Sequence, residues 1–179
     1  MVLQTQLYNW LHSFAGVSPT GDLIIVFFAV YFPIVISLLA LVYILTSARK
    51  RPEKISAIVS ALAAALIARI FFAGTLRYIV HEARPFTLAN AHSLFLATGS
   101  SFPSAHATIL FAIGTVLYSF DKRTGIIFGV LSLLVCIARV IAGVHYPIDI
   151  AAGILIGIAT ARLFLAYGSP VMERYIRTS

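Results

Sequence analysis

The chain has 179 residues, 60% of them hydrophobic and only 11% charged, with a mean hydropathy of +0.98. Water-soluble domains carry about 25% charged residues, so a soluble enzyme is excluded. The net charge of +7 and the pI near 9.9 are therefore read as membrane topology, with no nucleic-acid partner implied.

Residues 1–16 come first and place Leu3, Leu7, Trp10, Leu11 and Phe14 on one helical stripe, with Gln4, Gln6, Asn9, His12 and Ser13 mostly elsewhere. With Tyr8 and Trp10 at headgroup level, this predicts a helix lying on the membrane surface. It lacks the basic start and small-residue cleavage site of a removable signal peptide. Ser18-Pro19-Thr20-Gly21 ends it.

Runs of about 18 or more apolar residues with few charges read as membrane spans. The first covers residues 23–46 and contains Pro33, which predicts a kink. A basic loop with Arg49, Lys50, Arg51 and Lys54 leads to the second span, residues 55–80. A long connection, residues 81–102, carries His81, Glu82, Arg84, Pro85 and His92. The third span is residues 104–120, closed by Asp121-Lys122-Arg123. The fourth is 124–142, and the fifth, 148–166, leads to a polar tail with Arg174 and Arg177. Cys136 is the sole cysteine, which excludes an intramolecular disulfide, and it reads as a small buried apolar residue. The expectation is one all-α membrane domain over residues 1–179, an integral helical bundle of about five transmembrane helices plus the N-terminal interfacial helix.

An odd number of spans puts the three basic segments on one face, the cytoplasmic one by the positive-inside rule. The 81–102 connection and the 143–147 turn then share the other face with Arg77, Arg84, Arg139, His106, His145 and Asp149. Three arginines at one end of a bundle require an anion, and Glu82 and Asp149 are too few to supply it. A phosphate fits, since guanidinium forks match its oxygens. Ser104 stands where an N-cap belongs, so its hydroxyl and the first N–H groups of the next helix, Ala105 included, can hold a phosphate oxygen. His145 and Asp149 are four residues apart at a helix start, which lets the carboxylate fix one imidazole nitrogen and leave the other as a nucleophile. His106, on another helix, can then protonate the departing oxygen. A zinc site built from His106, His145 and Asp149 is disfavoured, because three neighbouring arginines repel a dication. Arg69 stands mid-span and is a functional candidate for that reason.

This set resembles the phosphatidic acid phosphatase type 2 superfamily, with signatures K-x6-R-P, P-S-G-H and S-R-x5-H-x3-D. Here they stand as Arg77-x6-Arg84-Pro85, Pro103-Ser104-Ala105-His106 and Ala138-Arg139-x5-His145-x3-Asp149, so the match covers residues 77–149. Arg77 replaces lysine and keeps the charge, Ala105 replaces glycine, and Ala138 replaces serine and removes one hydroxyl. The resemblance implies His145 as nucleophile, His106 as acid and base, and Asp149 as its orienting partner. It also implies Arg77, Arg84, Ser104 and Arg139 as phosphate ligands.

The expected activity is a metal-independent, cofactor-free hydrolysis of a lipid phosphate or diphosphate at the outer leaflet, through a phosphohistidine. The chain is compact, and pieces such as Arg84-Pro85-Phe86 resemble the small bacterial undecaprenyl-diphosphate phosphatases, which implies the bacterial inner membrane and makes undecaprenyl diphosphate the first choice. Phosphatidylglycerophosphate, phosphatidic acid and a lipid A phosphate follow. The substrate would enter laterally from the surrounding membrane lipids, under a partial lid from residues 87–102 with Leu94, Phe95 and Leu96. A lipid-binding or lipid-flipping protein is the non-enzymatic alternative, and a vanadate-dependent haloperoxidase is disfavoured because those relatives are soluble. Glu82 is expected to face water or touch substrate.

Overall fold

The computed structural model describes residues 2–87 and 92–168, and every regular element among them is helical. Helix α1 covers Val2–His12 and α2 covers Pro19–Thr46. Helix α3 spans residues 51–80, and a 3-10 turn, Pro85–Thr87, interrupts the connection after it. Helices α4 (Ala105–Phe120), α5 (Lys122–Ile141) and α6 (Pro147–Gly168) complete the bundle.

Helices α2, α3, α5 and α6 are long and apolar enough to cross a bilayer, whereas α4 has only 16 residues. At 1.5 Å per residue α4 is about 24 Å long, against about 30 Å of hydrocarbon. The five expected spans are thus four of full length and one short one, which starts inside the bundle at the fully buried Ser104. Arg174 and Arg177, expected at the basic end, lie outside the described residues, as do residues 88–91 of the expected lid.

Helix α4 is the hub, packed on α3, α5 and α6. Its contact with α6 is backbone-close. A Cβ added at Gly157 would sit 2.4 Å from the Thr108 carbonyl oxygen, and one at Gly153 would sit 2.7 Å from that of Ser104. Lipid gives apolar helices no reason to associate, so small residues that admit such an approach supply the contact. Ala61, Ala64, Ala65 and Ala68 of α3 pack in the same manner against Ala112 of α4 and Ala161 of α6.

The loops divide between two ends. At the basic end, Arg49 donates to the Phe120 carbonyl (3.1 Å) and Tyr43 to the Asp121 carboxylate (3.2 Å). At the other end the Ser104 N–H donates to the Asp149 carbonyl (3.0 Å) and the Leu94 N–H to that of Ala142 (3.1 Å).

Three helices contain a widened turn, the one in α6 lying at its end, Phe164–Gly168. In α2 it covers Phe27–Tyr31, where the Phe32 N–H bonds to Phe27, five residues back. The expected effect of Pro33 is therefore a widened turn just before it. Pro33 also has no N–H to return to the Ala29 carbonyl, which instead accepts from Arg139 Nη1 at 2.9 Å. In α3 the widened turn covers Ala68–Ala73, closed by the Gly74 N–H on the Arg69 carbonyl.

Helix α1 carries Leu7 and Trp10 on an exposed face, continued by Phe14 in the turn after it, which suits the membrane surface. Tyr8 departs from expectation: it is buried against Ala107, Cys136, Val140 and Ile150. His12, expected on the polar side, meets the Ile141 carbonyl through Nδ1 at 2.8 Å. These two rings anchor α1 to the bundle.

Replacing Gly157 by Val forces α4 and α6 apart, and overpacking of this kind costs about 2 kcal/mol or more. The thermal unfolding midpoint in detergent is expected to fall by at least about 5 °C; an unchanged midpoint would contradict the close approach.

Candidate active site

The site grows from the start of α6. Tyr146 is the N-cap, Pro147 opens the first turn, and Asp149 bends back so that Oδ2 accepts the Tyr146 N–H at 2.8 Å. The same oxygen lies 3.3 Å from Nδ1 of His145. The sequence spacing suggests a pair within one helical turn; in fact His145 precedes the cap, and the carboxylate reaches over the helix end to meet it. A carboxylate is favoured there by the helix dipole. His145 is 1% exposed and Asp149 0%. With its Nδ1 proton turned to the carboxylate, the imidazole keeps a lone pair on Nε2.

Burial, followed by the charges of Arg139, Arg84 and Arg77, holds His145 well below its ordinary pKa of 6.5, while a hydrogen bond with the Ser101 backbone pulls weakly the other way. The ring is therefore neutral at physiological pH, as a nucleophile must be. Burial likewise lowers Arg84, opposed by the charge of Asp149.

The three arginines expected to hold phosphate converge here, and each holds backbone. Arg77 donates through Nε and Nη2 to the Pro103 carbonyl (3.1 and 2.9 Å). Arg84 donates to the carbonyls of Gly99, Val144 and Thr98, each at 2.9 Å. Arg139 bonds to Ala29, lies 5.7 Å from the Phe95 ring, and has a buried Nε without a partner. Ser104 takes the N-cap position of α4 as expected, yet its hydroxyl caps nothing and is buried without a partner. Ala105 is the first residue of α4, and half-buried His106 is the second. The charges of Arg139, Arg77 and Arg69 are felt at His106, as is neighbouring His145, so both imidazoles lie at one end of the bundle.

Glu82 is exposed and forms no ion pair among the described residues; its carbonyl accepts the Ser101 N–H at 2.9 Å. Of the three expected lid residues, Phe95 lies by Arg139, Leu94 is tied to Ala142, and Leu96 points outward at 92% exposure. His81 caps α3 in a left-handed conformation and is exposed, as its loop position suggested. His92 rests on the His12 ring, with ring centres 4.7 Å apart.

Sequence reasoning missed Ala29, whose role depends on a carbonyl left free by Pro33, a signal that was available. It also missed the carbonyls of Thr98, Gly99 and Val144, which no residue type announces. The assembly offers an oriented neutral imidazole, a second imidazole, three cations and an unpaired hydroxyl, a set suited to transferring a phosphoryl group.

A family model described as the PAP2 superfamily matches residues 58–172. The chain is 35% identical over 153 residues to the bacitracin transport permease protein BcrC of Bacillus licheniformis, covering 84% of this chain and 72% of that protein. It is 26% identical over 177 residues to the undecaprenyl-diphosphatase BcrC of Bacillus subtilis (strain 168), covering 96% and 89%. Among solved structures, Aquifex aeolicus LpxE superposes with a TM-score of 0.71 at 25% identity, over 92% of this chain and 96% of that one. The first transmembrane PAP2-type phosphatidylglycerolphosphate phosphatase from Bacillus subtilis gives 0.63 at 18% identity, over 95% and 86%, a likeness of fold.

A depressed histidine pKa has a defined sign. Below the ordinary 6.5 the unfolded chain gains a proton that folded His145 does not, so its contribution to stability is complete above 6.5 and declines as pH falls toward the folded value. In 15N-histidine spectra of the detergent-solubilised protein, the signal lost in His145→Asn should stay in its neutral form from pH 7.5 to 6. Titration of that signal with a midpoint near 6.5 would refute the assignment.

Proposed function

The chain belongs to the PAP2 superfamily and is an integral membrane lipid phosphatase, and from that premise we propose that it removes the terminal phosphate of undecaprenyl diphosphate at the outer leaflet through a phosphohistidine. The observation that carries this reading is the buried His145–Asp149 pair facing three guanidinium groups.

Nε2 of His145 attacks the terminal phosphorus. The bond from that phosphorus to the bridging oxygen breaks, its electron pair goes to the departing lipid monophosphate, and His106 supplies the proton. Arg77, Arg84, Arg139, the Ser104 hydroxyl and the Ala105 N–H carry the charge on the transferring group. A water that gives its proton to His106 then attacks the phosphohistidine. The P–N bond breaks, its electrons return to Nε2, and inorganic phosphate leaves. Guanidinium groups supply the electrostatic stabilisation that metal ions give elsewhere, so no metal enters the scheme.

A long-chain lipid is supported by an apolar groove of about 280 Å³ between α2 and α4, lined by Pro33, Ile34, Leu38, Ile109 and Leu110, with His106 at its head. The diphosphate is supported by the relative named undecaprenyl-diphosphatase. Phosphatidylglycerophosphate, phosphatidic acid and a lipid A phosphate follow in that order. Arg49, Lys50, Arg51, Lys54, Lys122 and Arg123 gather at the end remote from the site, which favours a cytoplasmic basic end and a site on the non-cytoplasmic face of a bacterial inner membrane. One relative's name is that of a transport permease, which is the second reading; a headgroup carrier needs the cations but has no use for an oriented imidazole.

His145→Ala is expected to lower phosphate release by about 1,000-fold or more with unchanged elution from a sizing column. Wild-type protein given 32P-labelled substrate should carry acid-labile label that this variant lacks, and label persisting in the variant would reject the nucleophile. Activity should survive EDTA and be inhibited by orthovanadate. Release of phosphate from phosphatidylglycerophosphate but not from the prenyl diphosphate would overturn the substrate choice.

A further inference from the structure

Arg69 lies in the apolar length of α3, half-buried, and pairs with no carboxylate among the described residues. A cation at that depth is costly unless it faces a polar interior or a ligand. In an uninterrupted helix the eight residues from Arg69 to Arg77 turn through about 800°, leaving the two side chains about 80° apart. The widened turn at Ala68–Ala73 inserts one residue, shown by the Gly74 N–H reaching back five positions to Arg69. Seven effective steps leave about 20° between them, so both arginines share one face, about 11 Å apart along the axis. Arg69 sits two turns deeper than Arg77. Its charge is felt at Arg77 and at His106.

That depth has a chemical meaning. A lipid diphosphate held by its terminal phosphate at Arg77 and Arg84 has its second phosphate on the side of the chain, deeper and next to the group that protonates the bridging oxygen. We propose that Arg69 holds the phosphate that remains on the lipid, and so selects diphosphates over monophosphates. This rests on the phosphatase reading above. When the terminal P–O bond breaks, the electron pair and the developing negative charge pass to that lipid monophosphate. A guanidinium beside it stabilises the leaving group, whereas a monophosphate substrate has no group there to be stabilised.

The test compares Arg69→Gln and Arg69→Lys with wild type in detergent micelles, measuring phosphate release from a long-chain prenyl diphosphate and inhibition by orthovanadate, which mimics only the transferring phosphate. Arg69→Gln should lower kcat/KM for the diphosphate roughly 30- to 100-fold and leave vanadate inhibition within about threefold. Arg69→Lys keeps the charge but loses the fork, so it should lose about 3- to 10-fold, again with vanadate unchanged; it also serves if the glutamine variant does not fold. Unchanged diphosphate hydrolysis in both variants, or vanadate inhibition weakened in step with it, would overturn the role of Arg69 alone. Wild-type protein inert toward the diphosphate would instead overturn the substrate reading on which it rests.

Discussion

The contact on which the site depends is the backbone-close meeting of α4 and α6. Gly153 and Gly157 let α6 approach until the carbonyls of Ser104 and Thr108 occupy the space a side chain would need. At the head of that contact the Ser104 N–H bonds to the Asp149 carbonyl. One hydrogen bond thus joins the start of the helix bearing His106 to the start of the helix whose carboxylate orients His145. The two imidazoles are brought together by helix packing, and the loops serve mainly to bring in the cations.

Those cations have two attachments. Arg77, Arg84 and Arg139 each spend part of their donor capacity on carbonyls of Pro103, Gly99, Val144, Thr98 and Ala29. A guanidinium has five N–H groups, so donors remain for a phosphate after the backbone is satisfied. The protein-facing bonds fix where the remaining donors point before any ligand arrives, and such preorganisation is what makes electrostatic catalysis effective. At Arg84, which holds three carbonyls through Nε, Nη1 and Nη2, a single flexible ammonium would be a poor substitute.

Much of this was legible in the sequence because it is carried by residue type and spacing. Apolar runs gave the helices, and the charged and imidazole residues, scarce in such a chain, gave the site. What stayed hidden belongs to the backbone. The widened turn in α3 changes the facing of Arg69 without any glycine or proline inside it to announce it. Tyr8 and His12 looked like surface residues of an interfacial helix because their contacts lie on helices about a hundred positions away or more. The extent of α4 was legible, since the expected span of residues 104–120 lies within a residue of the observed Ala105–Phe120.

That shortfall of α4, about 6 Å against the hydrocarbon thickness, leaves part of the bilayer's depth to be filled by something other than α4. The connection before α4, among its described residues 81–87 and 92–104, meets peptide groups with protein donors, as where Arg84 takes the carbonyls of Thr98 and Gly99. A helix shorter than the hydrocarbon is matched by local thinning of the bilayer or by burial of its ends in protein. Ser104, fully buried at the start of α4, takes the second course, with protein rather than lipid covering that helix end.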